Sequence, residues 1–187
     1  MSLVDFISNT DKQGQLMLAY AKGDAAAFTE LYSHYKGELF RFFLRQCGNR
    51  ALAEELYQEL WMRVINNRQA YEHKARFSTW LYHIAHNLLR DHFRKFEPEN
   101  DEEALENVEA GESSDPLEHY SSQEKISRFL TMLQALPDEQ RQVFLLKEEG
   151  GLSLEEITQV TGTSFETVKS RLRYAVKKLR QVLEDAA

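Results

Sequence analysis

The chain of 187 residues is 42% hydrophobic and 28% charged, the proportions of an ordinary globular protein, which excludes collagen-like, mucin-like and wholly disordered chains. Its one cysteine, Cys47, excludes an internal disulfide framework and a multi-cysteine zinc site, while three prolines, eight glycines and few β-branched runs predict an all-α chain. The formal net charge of −7, taken at face value, argues against a nucleic-acid partner.

Residues 1–15 form an N-terminal segment of acidic and polar composition, unlike the apolar stretch of a signal peptide. No apolar run reaches the roughly 18 residues of a membrane span, so a cytoplasmic location is expected. Residues 16–96 read as a helical module. Phe28, Leu31, Tyr32 and Tyr35 recur at helical spacing, as do Leu39, Phe42 and Phe43. From Ala51 to Asn66, the residues Leu52, Leu56, Leu60 and Val64 stand four apart, a stripe that needs a core. The other side of that helix offers Glu54, Glu55, Gln58, Glu59 and Met62, an acidic surface with one adaptable apolar contact. A merely solvated face has the same composition.

The period breaks from Asn67 to Arg76, which predicts a loop containing Tyr71, Lys74 and Arg76. The next helix, predicted from Ser78 to Lys95, buries Leu81, Ile84, Ala85 and Leu88 and shows His83, His86, Asn87, Arg90 and Arg94 on its opposite face. Phe77, Trp80 and Tyr82 cluster at its start. A basic helix beside aromatic rings and a loop suits single-stranded nucleic acid, because bases stack on rings while arginines hold phosphates. The same rings equally suit a core. His83 and His86 stand three apart, but no carboxylate or cysteine completes a metal set, so neither metal nor cofactor is expected.

Residues 97–124 carry 11 acidic residues, no basic one and two of the three prolines. Too few large apolar side chains are present to offset ordering entropy, so this segment is predicted to be a flexible acidic linker. Residues 125–187 read as a second helical module. Pro137, Asp138 and Glu139 open a helix that ends at Gly150-Gly151. Ser153 followed by Glu156 forms a capping box for a short helix with Leu154, Ile157 and Val160. After Thr161-Gly162-Thr163 a last helix starts at Ser164 or Phe165 and runs to about Leu183. This is the pattern of a helix-turn-helix. Val168, Leu172, Ala175, Val176, Leu179 and Leu183 make its core stripe; Glu166, Thr167, Ser170, Arg173, Tyr174 and Lys177 face away, flanked by Lys169 and Arg171. Such groups bond base edges and phosphates, although a plain helical hairpin with a solvated basic face has the same pattern.

Charge counted by segment answers the opening objection. The net is +3 over residues 1–96, −11 over 97–124 and +1 over 125–187. The excess negative charge lies in the linker, and the two modules are free to meet an anionic partner.

Two strings in the first module, AEELYQELWMRVI from Ala53 to Ile65 and FSTWLYHIAHNLLRDHFRK from Phe77 to Lys95, resemble the second conserved region of extracytoplasmic-function (ECF) sigma factors. These are the small alternative sigma subunits of bacterial RNA polymerase, in the sigma-70 family. The string LSLEEITQVTGTSFETVKSRLRYAVKKL, from Leu152 to Leu179, similarly resembles their fourth region. The resemblance implies two small helical domains joined by a flexible linker, a subunit that is not an enzyme, and recognition of minus-ten and minus-thirty-five promoter elements. By position, Glu54, Glu55, Gln58, Glu59 and Met62 would meet the β′ clamp helices of the polymerase core; the family most often has Asp at Glu55 and an aliphatic at Tyr57. Tyr71, Lys74, Arg76, Phe77, Trp80, His83, Asn87, Arg90 and Arg94 would hold the minus-ten strand. Ser164, Glu166, Thr167, Lys169, Ser170, Arg171, Arg173, Tyr174 and Lys177 would read the minus-thirty-five duplex. The implied partners are RNA polymerase core, through the β′ clamp helices and the β flap, promoter DNA and an anti-sigma factor. The competing expectation is a stand-alone helix-turn-helix regulator, whose first module would sense a ligand or dimerise.

Overall fold

The computed structural model describes residues 11–95 and 118–184, with side chains described for all of these except residues 95, 118–125 and 182–184. Among the described residues every regular element is helical: α1 (Lys12–Ala21), α2 (Ala25–Cys47), α3 (Arg50–Asn66), a 3-10 turn (Arg68–Ala70), α4 (Phe77–Lys95), α5 (Glu118–Gln134), α6 (Asp138–Glu148), α7 (Leu154–Thr161) and α8 (Phe165–Glu184). Local chemistry sets most of the boundaries. Asp24 caps α2 by accepting from the Ala26 and Ala27 amides at 3.0 and 3.3 Å, and Asn49 caps α3 through the Leu52 amide at 3.0 Å. The predicted box before α7 is formed, with the Glu156 amide donating to Ser153 Oγ at 3.1 Å and the Ser153 amide to Glu156 Oε2 at 2.8 Å. Gly162 ends α7 at φ +68°, a left-handed conformation that costs a residue with a Cβ about 1–2 kcal/mol. The chain thereby turns sharply into α8, which Ser164 caps through the Thr167 amide at 3.2 Å.

Helix α2 is the central strut. It packs on α1 and α3 within the first half and on α5 and α6 of the second. Leu31, Leu39, Phe42 and Phe43 on α2 are fully buried. Each such side chain contributes about 1.5–3 kcal/mol, against about 0–1 kcal/mol for an exposed ion pair, so burial on α2 outweighs any of the surface pairs. Phe42 meets the ring of Tyr82 on α4 edge-on at 5.2 Å, and Tyr35 meets Phe77 at 5.4 Å. In the second half, α8 packs on α5, α6 and α7 through Val168, Ala175 and Leu179. Buried Arg141 ties the turn between α5 and α6, donating to the Gln134 carbonyl at 2.7 Å and pairing with Asp138.

The two halves do not stand apart. Helix α4 lies on α7, α2 lies on α6, and the buried side chains of both halves form one continuous core. A Cβ on Gly150 would come within 3.2 Å of the Tyr82 ring and 2.6 Å of the Leu146 carbonyl, so this glycine permits the close approach of α4.

Several boundaries and positions differ from expectation. The linker predicted over 97–124 gives up residues 118–124 to α5, whose later turns dock on α2 and α8 and carry the helix back toward the acidic stretch; residues 97–117 lie outside the described residues. The N-terminal segment predicted over 1–15 contains the start of α1, and residues 1–10 lie outside the described residues. On α8, Leu172 and Val176 are only half-buried, because the core contact of α8 narrows to Val168, Ala175 and Leu179. Leu183 falls among the residues whose side chains are not described.

Candidate functional site

Helix α3 presents its predicted acidic face as a unit. Glu54, Glu55, Gln58, Glu59 and Met62 are all exposed, while Ala53, Leu56, Leu60, Trp61 and Val64 are buried on the other side. Met62 is 52% exposed, a large apolar group left in water. Glu54 pairs with Arg50 and Glu59 with Arg63, both at 2.9 Å along the helix. These pairs hold two carboxylates in register, and Glu55 and Gln58 lie between them.

The segment before α4 is organised from far away in the sequence. Asp11, only 5% exposed, accepts from the Phe77 amide at 2.7 Å through Oδ2 and thereby caps α4. The same oxygen lies 3.1 Å from Nε2 of His73, whose side chain is 6% exposed. Asp11 is a positioning residue that the sequence does not reveal, because a cap is ordinarily sought just before the helix and this one lies 66 residues upstream. Burial raises the Tyr71 hydroxyl pKa well above the ordinary tyrosine value, with the nearby Asp11 adding to the effect. That ring is therefore neutral and part of the framework.

Tyr71 and Phe77 correct the expectation that they hold promoter strand. Tyr71 is 5% exposed and Phe77 fully buried, because the loop folds inward and both rings pack against Trp80, at 5.0 and 5.7 Å. The half-buried Trp80 is the ring of this cluster that reaches the surface. Arg76 and Lys74 are exposed, Arg76 lying 3.6 Å from Glu156 and Lys74 pairing with Glu72. Along α4, His83, Asn87, Arg90 and Arg94 form one outward row at spacings of four, three and four. The Asn87 amide lies 3.3 Å from His83 Nδ1, and Arg90 and Arg94 flank Asp91 at 3.9 and 3.7 Å. His86 lies off this row, partly buried toward Gln142 of α6; burial, the larger cause, lowers its pKa below the ordinary value, and Arg90 and His83 lower it further.

On α8 the predicted groups divide into two rows. Lys169, Arg173 and Lys177 are exposed at spacings of four and flank a shallow groove floored by Leu172 and Val176. Arg180 extends this row by three residues, a helical spacing that the sequence itself carries. Glu166 and Tyr174 are exposed, and Thr167 and Ser170 half-buried beside them. The Arg173 guanidinium stands 5.2 Å from the Tyr174 ring centre. Arg171 corrects the expectation of a free basic flank, since it is turned to α6, where it pairs with Glu139 and fixes α8 against that helix. Ser164 is engaged as the cap of α8 and accepts or donates to Thr167 Oγ1 at 2.8 Å.

Among the described residues, no group of three or more His, Cys, Asp or Glu side chains is placed to hold a metal, and no helix is long and apolar enough to cross a membrane. The chemistry on offer is recognition: one acidic face and two basic rows on rigid helices.

Comparison with known proteins matches both halves. The family model of Sigma-70 region 2 covers residues 31–97, and that of Sigma-70 region 4 covers residues 126–179. The ECF RNA polymerase sigma factor SigW of Bacillus subtilis is 33% identical over 178 residues, 88% of this chain and 92% of the relative. SigK of Mycobacterium tuberculosis, also an ECF RNA polymerase sigma factor, is 30% identical over 176 residues, 90% of this chain and 92% of the relative. Among solved structures, CnrH in complex with the cytosolic domain of CnrY superposes with a TM-score of 0.68 at 20% identity, over 94% of this chain and 99% of that one. The sigma factor RpoE of Bartonella quintana, solved with the anti-sigma factor NepR, gives a TM-score of 0.67 at 22% identity, over 84% and 96%.

Proposed function

The chain belongs to the ECF sigma factors, which direct promoter-specific initiation by RNA polymerase, and from that premise we propose a division of labour among its exposed faces. The face of α3 seats the protein on the polymerase core, at the β′ clamp helices, with Glu55, Gln58 and Glu59 making polar contacts and Met62 an apolar one. The row His83, Asn87, Arg90 and Arg94, with Arg76, Lys74 and Trp80, holds the minus-ten strand. The rows of α8 read the minus-thirty-five duplex, with Arg173 toward base edges and Lys169, Lys177 and Arg180 toward phosphates. In this reading residues 16–96 and 125–187 are the two working domains and 97–124 their connection. The protein acts in the cytoplasm as a binding subunit and catalyses no reaction of its own.

The observation that carries this reading is the separation of exposed charge by sign. DNA carries one negative charge per roughly 1.7 Å of axis. An acidic face such as that of α3 is repelled by it and suits a protein partner, whereas the rows of α4 and α8 are attracted. Neither row alone supplies many phosphate contacts; tethering both to one polymerase raises their effective concentration. RpoE was solved with the anti-sigma factor NepR and CnrH with the cytosolic domain of CnrY, and control by an anti-sigma factor covering these faces is part of the proposal.

Run-off transcription from core polymerase plus this protein on a promoter library tests it. Specific products are expected, and no product above core polymerase alone on any template sinks the proposal. The double variant Glu55→Lys/Glu59→Lys is expected to weaken binding to core polymerase by roughly tenfold, ~1.4 kcal/mol, without altering the fold. Unchanged binding would move the polymerase contact off α3.

A further inference from the structure

Helix α8 changes chemistry along its length. Its first two residues, Phe165 and Glu166, are both exposed, and Phe165 is a large apolar group left 38% in water. The exposed cations Lys169, Arg173, Lys177 and Arg180 follow only from the second turn onward. The hydroxyls at the tip are already engaged. Those of Ser164 and Thr167 bond each other at 2.8 Å, and Ser164 Oγ accepts from the Thr167 amide at 3.2 Å. Phe165 and Glu166 are therefore the groups that the tip has to offer, and neither binds a phosphate: a ring carries no donor, and a carboxylate is repelled. Such a tip suits base edges, with the backbone left to the cations behind it.

We propose that Phe165 is a specificity-determining residue of α8, its ring making apolar contact with the C5-methyl group of a thymine in the minus-thirty-five element. This rests on the assignment of α8 to that element.

Geometry puts Phe165 in front. A major groove about 12 Å wide admits one α-helix, and a recognition helix meets base edges with its N-terminal residues. Each Cα–Cβ bond of a helix tilts toward the N-terminus, so side chains of the first turn project ahead of the backbone. The frame around Phe165 is also fixed. The Gly162 amide donates to the Thr158 carbonyl at 2.9 Å, and Thr161 Oγ1 donates to the Ile157 carbonyl at 2.8 Å and lies 2.9 Å from Thr163 Oγ1. On the other side the Val168 amide donates to the Ser164 carbonyl at 3.0 Å. With the chain held before and after Phe165, little ordering remains when the tip enters the groove.

Chemistry selects the base. In the major groove guanine, adenine and cytosine present only acceptors and amino groups, and thymine adds a methyl. A ring pressed on a polar edge strips its water without replacing the lost hydrogen bonds. Against the methyl it removes apolar surface of both partners from water. One side chain thereby favours thymine and disfavours the alternatives.

The test uses the full chain with core polymerase on a promoter selected by run-off transcription. Each thymine of the minus-thirty-five element, in either strand, is replaced in turn by uracil, which lacks only the methyl. At one position initiation at limiting protein is expected to fall roughly fourfold, the effect of one buried methyl group. Phe165→Ala is expected to initiate equally from the thymine and uracil templates at that position, and Phe165→Leu, which keeps an apolar side chain, to retain part of the difference. Circular dichroism checks that both variants keep their helix content, as expected for an exposed site. Uracil tolerated at every position, an element with no thymine in either strand, or an undiminished methyl effect in Phe165→Ala would overturn the contact. A uniform loss in Phe165→Ala on every template, with no methyl effect in the unsubstituted chain, would overturn it too and give the ring to a protein partner. Absence of promoter-specific initiation by the unsubstituted chain would overturn the assignment of α8 and the contact together, whereas specific initiation indifferent to the methyl overturns the contact alone.

Discussion

The approach to α4 and the approach to α8 solve the same problem, fixing the start of a helix that carries an exposed basic row, by opposite means. Helix α8 is fixed by neighbours: Gly162 turns the chain, and Ser164 caps the helix three residues before Thr167. Helix α4 is fixed by strangers, Asp11 capping it from 66 residues upstream and Glu156 holding Thr79 from 77 residues downstream. A locally built element survives changes elsewhere. An element built by distant contacts responds to them.

The largest expected effect of breaking this contrast comes from Asp11. Replacing Asp11 by Ala removes the cap of α4 and leaves the Phe77 amide and His73 without their acceptor, a loss of about 2–3 kcal/mol. Urea unfolding measures it, and Asp11→Asn, which keeps an acceptor oxygen, should lose less. Initiation should fall more on duplex templates than on templates pre-melted across the minus-ten element. An equal fall on both would mean that Asp11 supports the fold alone.

Arg173 sharpens the other side of the comparison. Because α8 is locally fixed and Arg173 is exposed, Arg173→Ala should leave stability within about 0.5 kcal/mol while weakening minus-thirty-five recognition by about 1–3 kcal/mol. Competition between promoter variants in vitro measures this. Unchanged sequence preference would place Arg173 on the backbone or in water.

The smallest effect concerns pH between the two halves. Burial favours the neutral form of His86, so its folded pKa lies below the ordinary 6.5 and the unfolded chain binds more protons around that value. Stability is therefore complete above about pH 6.5 and falls as the pH drops below it. The urea midpoint should decline more between about pH 7.5 and 5.5 in the unsubstituted protein than in His86→Gln. Equal declines would assign the acid sensitivity to other groups.

Helices α2, α3, α4, α6, α7 and α8 were legible because their signals are local, whereas α1 and α5 were not. The capping box at Ser153 and Glu156, the turn at Gly162 and the four-residue stripe from Leu56 to Val64 each lie within a few turns of what they control. The acidic face of α3 and the basic row of α8 followed from the same periodicity, since a helix that buries one side must show the other. The loop before α4 was not legible in this way. Tyr71 and Phe77 have the composition of a stacking surface, and only the inward fold of the loop makes them core.

By itself the sequence determined six of the eight α-helices among the described residues, their polar and apolar faces and the family they identify, because 3.6-residue periodicity and capping are short-range physics. Tertiary structure alone decided that Asp11 holds α4, that Arg171 serves α6, and that Glu149 and Glu156 join the two halves. Those contacts join residues 32 to 108 positions apart, and nothing in the local pattern of an Asp or Glu says which distant cation or amide it will meet.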